Sequence, residues 1–111
     1  MKTLLKTLCS VDGVSGDEAH VRGCIRAMVE PFADEIREDR QGNLCALRRG
    51  TAGGEKVRMV CAHMDEVGFI VTSIDDKGYL SLSPVGGIDL RVALGRQLRV
   101  RGEKGSVYGV T

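Results

Sequence analysis

The sequence predicts an α/β fold class, with helices and strands mixed in its first half and strands dominating its second half. Three observations support this prediction. Apolar residues recur at offsets of 4, 7, 8 and 11 from Val21, which indicates an amphipathic helix. Residues 57–62 form an apolar run of strand length, which favours a buried central strand. After Glu66, short apolar segments alternate with turn residues, which is typical of antiparallel hairpins.

Helix signals dominate the first thirty residues. Residues 1–9 carry leucines on one helical face and predict a short N-terminal helix. Ser15 and Glu18 have the spacing of a capping box, which would open the second helix. That helix carries the apolar stripe from Val21, and we expect it to end near Pro31.

Strand signals follow. Residues 35–40 and 43–48 flank a short polar turn and predict a hairpin, and residues 50–55 predict a glycine-rich loop. Residues 67–74 and 79–85 flank an Asp-Asp-Lys-Gly turn and predict another hairpin.

The C-terminal part continues this β-rich pattern. Residues 88–94 are ambiguous and compatible with a helical turn, whereas residues 97–101 and 106–110 predict strands. The change in composition near Glu66 predicts a boundary between residues 1–66 and residues 67–111.

Charge and composition exclude some classes of partner. The chain has 111 residues and a formal net charge of +1, so nothing in its charge favours nucleic acid or an anionic membrane. No apolar stretch reaches the roughly 18 residues of a transmembrane helix, and we expect a cytoplasmic protein. The four cysteines form no CxxC pair, and their spacings fit no zinc motif. Each lies in or beside an apolar segment and no secreted context is indicated, which favours reduced cysteines that act as small core hydrophobes over a disulfide framework.

The strongest functional signal is a histidine and an aspartate two positions apart. Side chains at this spacing in a strand point to the same side, about 7 Å apart, so His63 and Asp65 can face one site. A carboxylate beside an imidazole fixes the ring tautomer and raises its basicity, which suits a metal ligand. The alternatives are a strand-end histidine satisfied by hydrogen bonds and a carboxylate that caps a turn.

Other candidate sites are weaker. Asp65 and Glu66 would point to opposite faces of a strand, which argues against a glycosidase acid pair. Residues 13–16 lack both the Walker lysine and the GxGxxG spacing, which favours a simple loop over a phosphate site. We expect His20 to be a solvated helix residue.

Several segments together resemble the dinuclear metallo-aminopeptidases of the glutamyl aminopeptidase and tetrahedral aminopeptidase group. They occur in the order known for that group and span nearly the whole chain. The matching segments are GVSG at 13–16, DRQGNL at 39–44, AHMDEVGFIV at 62–71, PVGGID at 84–89 and LGR at 94–96.

The resemblance implies a fold, an activity and roles for two residues. Residues 1–66 would be the N-terminal part of a metallopeptidase α/β sandwich, and residues 67–111 the first part of an inserted, β-barrel-like dimerisation domain. His63 would bind one of two divalent metal ions, zinc or cobalt, and Asp65 would be a catalytic residue that orients it. The substrates would be short peptides that lose their N-terminal residues, and the enzyme would be a dimer-based homo-oligomer of up to twelve subunits.

The resemblance covers only part of that family's site. A catalytic zinc site needs about three protein ligands, and His63 is the one that matches. We therefore expect the chain to be the N-terminal third of an aminopeptidase, inactive alone and without tightly bound metal. The alternative is a truncated α+β module that self-associates without enzymatic activity; a third possibility is a small hydrolase whose site is completed across an oligomer interface.

Overall fold

The computed structural model describes residues 1–51 and 57–111 and confirms a chain of mixed helices and strands. The strands in these two ranges form three two-stranded antiparallel sheets, each made of two strands that follow one another along the chain. The helices are α1 (Lys2–Leu8), α2 (Ala19–Val29) and α3 (Leu90–Ala93), with a 3-10 helix at Glu30–Phe32, and the strands are β1 (Glu35–Glu38), β2 (Leu44–Leu47), β3 (Gly68–Ile74), β4 (Leu80–Val85), β5 (Gln97–Gly102) and β6 (Gly105–Val110). None of the helices in the described ranges is long and apolar enough to span a membrane.

The chain divides into two compact units, Met1–Glu66 and Val67–Thr111. The first unit contains α1, α2 and the β1–β2 hairpin, and the second contains the other two hairpins and α3. The composition of the sequence changes at the same point. The assignment of these units to a catalytic and a dimerisation domain stays a prediction.

Helix α2 is the centre of the first unit, where it contacts α1, the 3-10 helix and β2. Its apolar stripe faces inward as predicted, but its burial is uneven. Val21 is 4% exposed, whereas Phe32, at the far end of the stripe, is 71% exposed. Among the described residues, Val21 is the one buried hydrophobic side chain, so the stripe has a core at only one end.

Val21 packs against the backbone of Gly13 in the loop that precedes α2. A Cβ atom at Gly13 would lie 2.7 Å from Cγ1 and 3.2 Å from Cβ of Val21. Contacts this short are repulsive, and valine has little rotamer freedom in a helix with which to relieve them. The loop can therefore approach α2 this closely only because residue 13 has no side chain.

The same turn joins β1 to β2 and β3 to β4. Oδ1 of Asp39 accepts hydrogen bonds from the backbone N–H groups of Gln41 and Asn43, both at 2.9 Å. Oδ1 of Asp75 accepts from the backbone N–H groups two and four residues further on, at 2.9 and 2.8 Å. The fourth residue of each turn is a glycine with φ of 85°, a conformation that glycine adopts without steric cost. Aspartate and glycine three positions apart thus fix both hairpins.

The predicted central strand at residues 57–62 is wrong for the described part of the chain. These residues belong to no strand, and Val57, Met59 and Val60 are all more than 80% exposed. A buried strand needs hydrogen-bonded neighbours on both sides. Each described sheet is a hairpin of two strands adjacent in sequence, and none of these strands pairs with residues 57–62. Most of the predicted glycine-rich loop at residues 50–55 lies outside the described residues.

The cysteines also differ from their predicted place in a core. All four thiols are free, and Cys9, Cys45 and Cys61 are exposed, while Cys24 is half-buried in α2. Apolar neighbours in sequence suggested burial, but burial depends on packing between elements, and these segments pack on few partners. The ambiguous segment at 88–94 contains α3, whose N-cap Asp89 accepts a hydrogen bond from the backbone N–H of Arg91 at 3.0 Å.

Replacing Gly13 by alanine should destabilise the first unit by about 1–3 kcal/mol, because the new Cβ overpacks against Val21. The matched control is Gly23→Ala in α2, where a Cβ meets nothing within 4 Å. That change should stabilise the helix by about 0.5–1 kcal/mol. Urea unfolding followed by far-ultraviolet circular dichroism measures both. Equal effects of the two substitutions would contradict the close packing of Gly13 on Val21.

The hydrogen bonds to Asp39 predict an acid-sensitive hairpin. The side-chain amide of Asn43, followed by backbone N–H groups, holds the pKa of Asp39 below its usual value of 3.8. Because the folded pKa is lowered, the stabilisation is present above pH 3.8 and is lost as the pH falls through the folded value. Asp39→Asn should therefore reduce the acid sensitivity of the β1–β2 hairpin, measured by amide protection against pH.

Asp76→Asn is the control for this experiment. Asp76 stands in the second turn, and its carboxylate makes none of the described turn hydrogen bonds. Its replacement should leave the acid response of β1–β2 unchanged. An Asp39→Asn hairpin that loses protection over the same pH range as the original chain would refute the assignment.

Candidate functional site

The candidate site lies within the first unit, where the loop before α2 meets the end of residues 62–66, the AHMDE segment. The backbone N–H of Glu66 donates to the carbonyl oxygen of Gly13 at 2.7 Å. Val14 and Glu66 form an isolated parallel bridge. The two segments therefore run side by side for a few residues, although residues 62–65 belong to no regular strand.

His63 and Asp65 contact each other directly, although the strand on which their spacing predicted a shared face is absent from residues 62–65. Nδ1 of His63 lies 3.0 Å from the backbone oxygen of Asp65 and 3.1 Å from its carboxylate Oδ1. Both of these oxygens are acceptors, so the arrangement favours the imidazole tautomer with its proton on Nδ1. Nε2 then carries the lone pair, on a side chain that is 86% exposed. This is the form in which a neutral imidazole binds a metal ion.

Ser15 is a third member of the site that the sequence analysis did not find. Its hydroxyl donates to Oδ2 of Asp65, while Oδ1 faces His63. Each oxygen of the carboxylate therefore has its own partner. The Ser15 hydrogen bond, and next the one to His63, lower the pKa of Asp65, because both stabilise the ionised carboxylate.

The predicted capping box is wrong, because Ser15 binds Asp65 and does not cap α2. The N-cap of α2 is Glu18, and no side chain caps the helix. Glu18 instead accepts a hydrogen bond at 2.6 Å from the backbone N–H of Gly16. Ser15 is engaged with Asp65, fifty positions away, and no local spacing rule reveals such a partner. The one available signal was that both residues lie in segments of the family resemblance.

A cavity of about 220 Å³ lies beside the pair. Side chains from α1, the loop before α2, α2 itself and the AHMDE segment surround it. Its lining residues are Leu8, Cys9, Val11, Gly13, Val21, Ile25, His63, Met64, Asp65 and Glu66. Most of the side chains contributed by the helices are apolar, so the site has one polar and one apolar side.

The donor set fits one metal-ligand position and does not fit a complete site. Among the described residues, no group of three or more His, Cys, Asp or Glu side chains could hold a metal ion together. His20, the second histidine, is an exposed residue of α2 outside the pair. A catalytic zinc site usually has about three protein ligands. The described residues supply one imidazole and one carboxylate in contact with it.

Comparisons with known proteins agree on a family. The sequence profile of the M42 glutamyl aminopeptidases matches residues 42–111. A lysyl aminopeptidase from Pyrococcus furiosus is 39% identical over 108 residues, which are 96% of this chain and 30% of the relative. The chain thus spans about a third of the length of the relatives it matches.

Solved structures give the same picture of the fold. A Thermotoga maritima protein described as an endoglucanase is 43% identical, with a TM-score of 0.84 over 96% of this chain and 32% of its own. PhTET1-12s, described as a dodecamer, is 39% identical, with a TM-score of 0.83 over 96% of this chain and 31% of its own. The endoglucanase description differs in chemistry from the aminopeptidase names, although the backbones match equally well.

Proposed function

The chain belongs to the M42 glutamyl aminopeptidase family, and from this membership we propose that it contributes to a metal-dependent aminopeptidase. In this proposal the enzyme removes N-terminal residues from short peptides. His63 supplies one ligand to one of two divalent cations, zinc or cobalt, and Asp65 orients His63. The remaining ligands come from chain outside the described residues.

One observation carries the proposal: within the described part of the chain, the hydrogen bonds of His63 are all at Nδ1. Nδ1 faces two oxygens of Asp65, and the His63 side chain as a whole is 86% exposed. A ligand histidine needs one ring nitrogen free and the other fixed.

The division of labour follows from the charges. Bound divalent cations would polarise the carbonyl of the scissile peptide bond. Asp65 keeps its negative charge, because Ser15 and His63 stabilise the carboxylate, and it holds the ring in one tautomer. Both oxygens of the Asp65 carboxylate already have partners, Ser15 and His63, which favours an orienting role over that of a glycosidase acid. The site chemistry therefore favours peptidase over endoglucanase.

The second unit supports a further proposal, a homo-oligomer that assembles through the β-rich residues 67–111. Large apolar side chains of β3 and β6, including Ile70, Ile74, Tyr108 and Val110, are exposed. Burial of such side chains is a major driving force for association. The match to PhTET1-12s agrees with assembly. The same surface favours the second candidate, a self-associating module without enzymatic activity. A cytoplasmic location remains a prediction.

His63→Ala should abolish peptidase activity in a chain that has the full length of the related aminopeptidases. The test is a chimera in which residues 1–111 replace the matching segment of the Pyrococcus furiosus lysyl aminopeptidase. Loss of a partner that orients a ligand costs about 10–100-fold, so loss of the ligand itself should exceed about 100-fold. The measurement is the initial rate of release of N-terminal residues from short peptides.

The chimera contains its own control. His20→Ala removes the other histidine of this segment, from the exposed face of α2, and should leave the rate unchanged. Asp65→Ala should lower the rate by about 10–100-fold. A His63→Ala chimera that hydrolyses peptides at the rate of the His20→Ala chimera would overturn the assignment of His63.

The 111-residue chain by itself should show no peptidase activity, because one imidazole does not hold a catalytic cation. Added Zn²⁺ should shift the side-chain NMR signals of His63 and leave those of His20 in place. The affinity of His63 for Zn²⁺ should be far below that of a three-ligand site. Light scattering after size exclusion measures assembly in the same sample. Self-association without any Zn²⁺ response at His63 would favour the module over the enzyme.

A further inference from the structure

We infer that Ser15 is a positioning residue for the candidate metal ligand, acting on His63 through Asp65. The inference rests on the proposed function, since it assigns Ser15 a part in preparing that same ligand. Its basis is the relay of contacts from the Ser15 hydroxyl to Oδ2 of Asp65, and from Oδ1 of Asp65 to Nδ1 of His63.

The carboxylate needs such a partner because the pair itself is exposed. The side chain of His63 is 86% exposed and that of Asp65 is 36% exposed. An exposed carboxylate rotates about its side-chain bonds and exchanges its partners with water, so one hydrogen bond to His63 fixes it weakly. A second hydrogen bond on the other oxygen restricts that rotation and keeps Oδ1 turned toward the ring.

Ser15 can act in this way because the backbone fixes its position. The Glu66 N–H bond to the carbonyl of Gly13 and the bridge between Val14 and Glu66 align the two segments. Gly13 in turn rests on Val21, the buried residue of α2. The hydroxyl therefore approaches Asp65 from a segment held on one side by a helix and on the other by the backbone of the site.

The backbone oxygen of Asp65 also faces Nδ1 of His63, at 3.0 Å. That contact alone favours the same tautomer, so the contribution of Ser15 is partial. We expect Ser15→Ala to lower the ratio of Nδ1–H to Nε2–H tautomer at His63 by about 3- to 10-fold, less than the 10–100-fold that loss of a whole orienting partner costs in metal affinity or activity. Ser15→Thr retains the hydroxyl and should restore the ratio.

The experiment uses the 111-residue chain labelled with ¹⁵N at its histidines, at a pH above the usual titration range of imidazole. Long-range ¹H–¹⁵N correlation spectra report the tautomer of each ring nitrogen directly. His20 provides an internal reference in every spectrum and should not change. Thr7→Ala is the matched control, because it removes a hydroxyl of the same unit that binds the carbonyl of Thr3 within α1.

The inference is supported if Ser15→Ala shifts the His63 tautomer while Ser15→Thr and Thr7→Ala do not. It is overturned if Ser15→Ala leaves the ratio unchanged, or if Ser15→Thr behaves like the alanine variant. Backbone amide spectra separate positioning from folding: changes throughout α2 as large as those at residues 63–66 would assign Ser15 a structural role only, and would also overturn the inference.

Failure of the inference and failure of the proposed function give different results. Addition of Zn²⁺ alone to the unaltered chain tests His63 as a ligand, through the signal of Nε2. If Ser15→Ala does not change the His63 tautomer but Zn²⁺ shifts the Nε2 signal, the positioning role of Ser15 is refuted and His63 is still supported as a ligand. If Zn²⁺ does not shift the Nε2 signal, the assignment of His63 as a metal ligand is refuted, whatever effect Ser15→Ala has on the tautomer.

Discussion

The site depends on the contact between the loop before α2 and the end of the AHMDE segment. One backbone hydrogen bond, from Glu66 to Gly13, brings together residues that are more than fifty positions apart in sequence. The approach is possible because Gly13 has no side chain and can lie directly on Val21. Without it, Ser15 would not reach Asp65, and His63 would keep a carboxylate partner with only one of its oxygens engaged. The small core around Val21 thus positions the residues of the candidate site.

Elements whose signals are local were predictable from the sequence. Both β-hairpins with aspartate–glycine turns lie where the sequence placed them, because the turn residues carry their own hydrogen-bond acceptors and their own backbone freedom. The apolar stripe of α2 likewise predicted the face that Val21 buries. Residues 57–62 were misassigned because a central strand is defined by its neighbours. An apolar run is stabilised by burial, but a buried strand also needs neighbouring strands, and the run itself does not determine whether they are present.

The site was predictable in part for the same reason. The spacing of His63 and Asp65 is local, and the two residues meet even though no strand forms around them, because their contact runs through side chain and backbone of the same short segment. Ser15 was misassigned as a helix cap, because its true partner lies far away in sequence and the capping-box spacing offered a nearer one. Family resemblance marked both segments, but it did not indicate that they touch. Nonlocal side-chain pairs of this kind appear only when the chain is folded.

In the proposed enzyme, His63 binds a divalent cation through Nε2 while its Nδ1 faces Asp65. Anomalous X-ray diffraction at the zinc edge, from crystals of the family-length chimera grown with Zn²⁺, tests this binding most directly. We expect an anomalous peak about 2.0–2.1 Å from Nε2 of His63, the usual zinc–imidazole distance, with Nδ1 still facing Asp65. A fully occupied zinc site that does not include His63, or one bound through Nδ1, would contradict it.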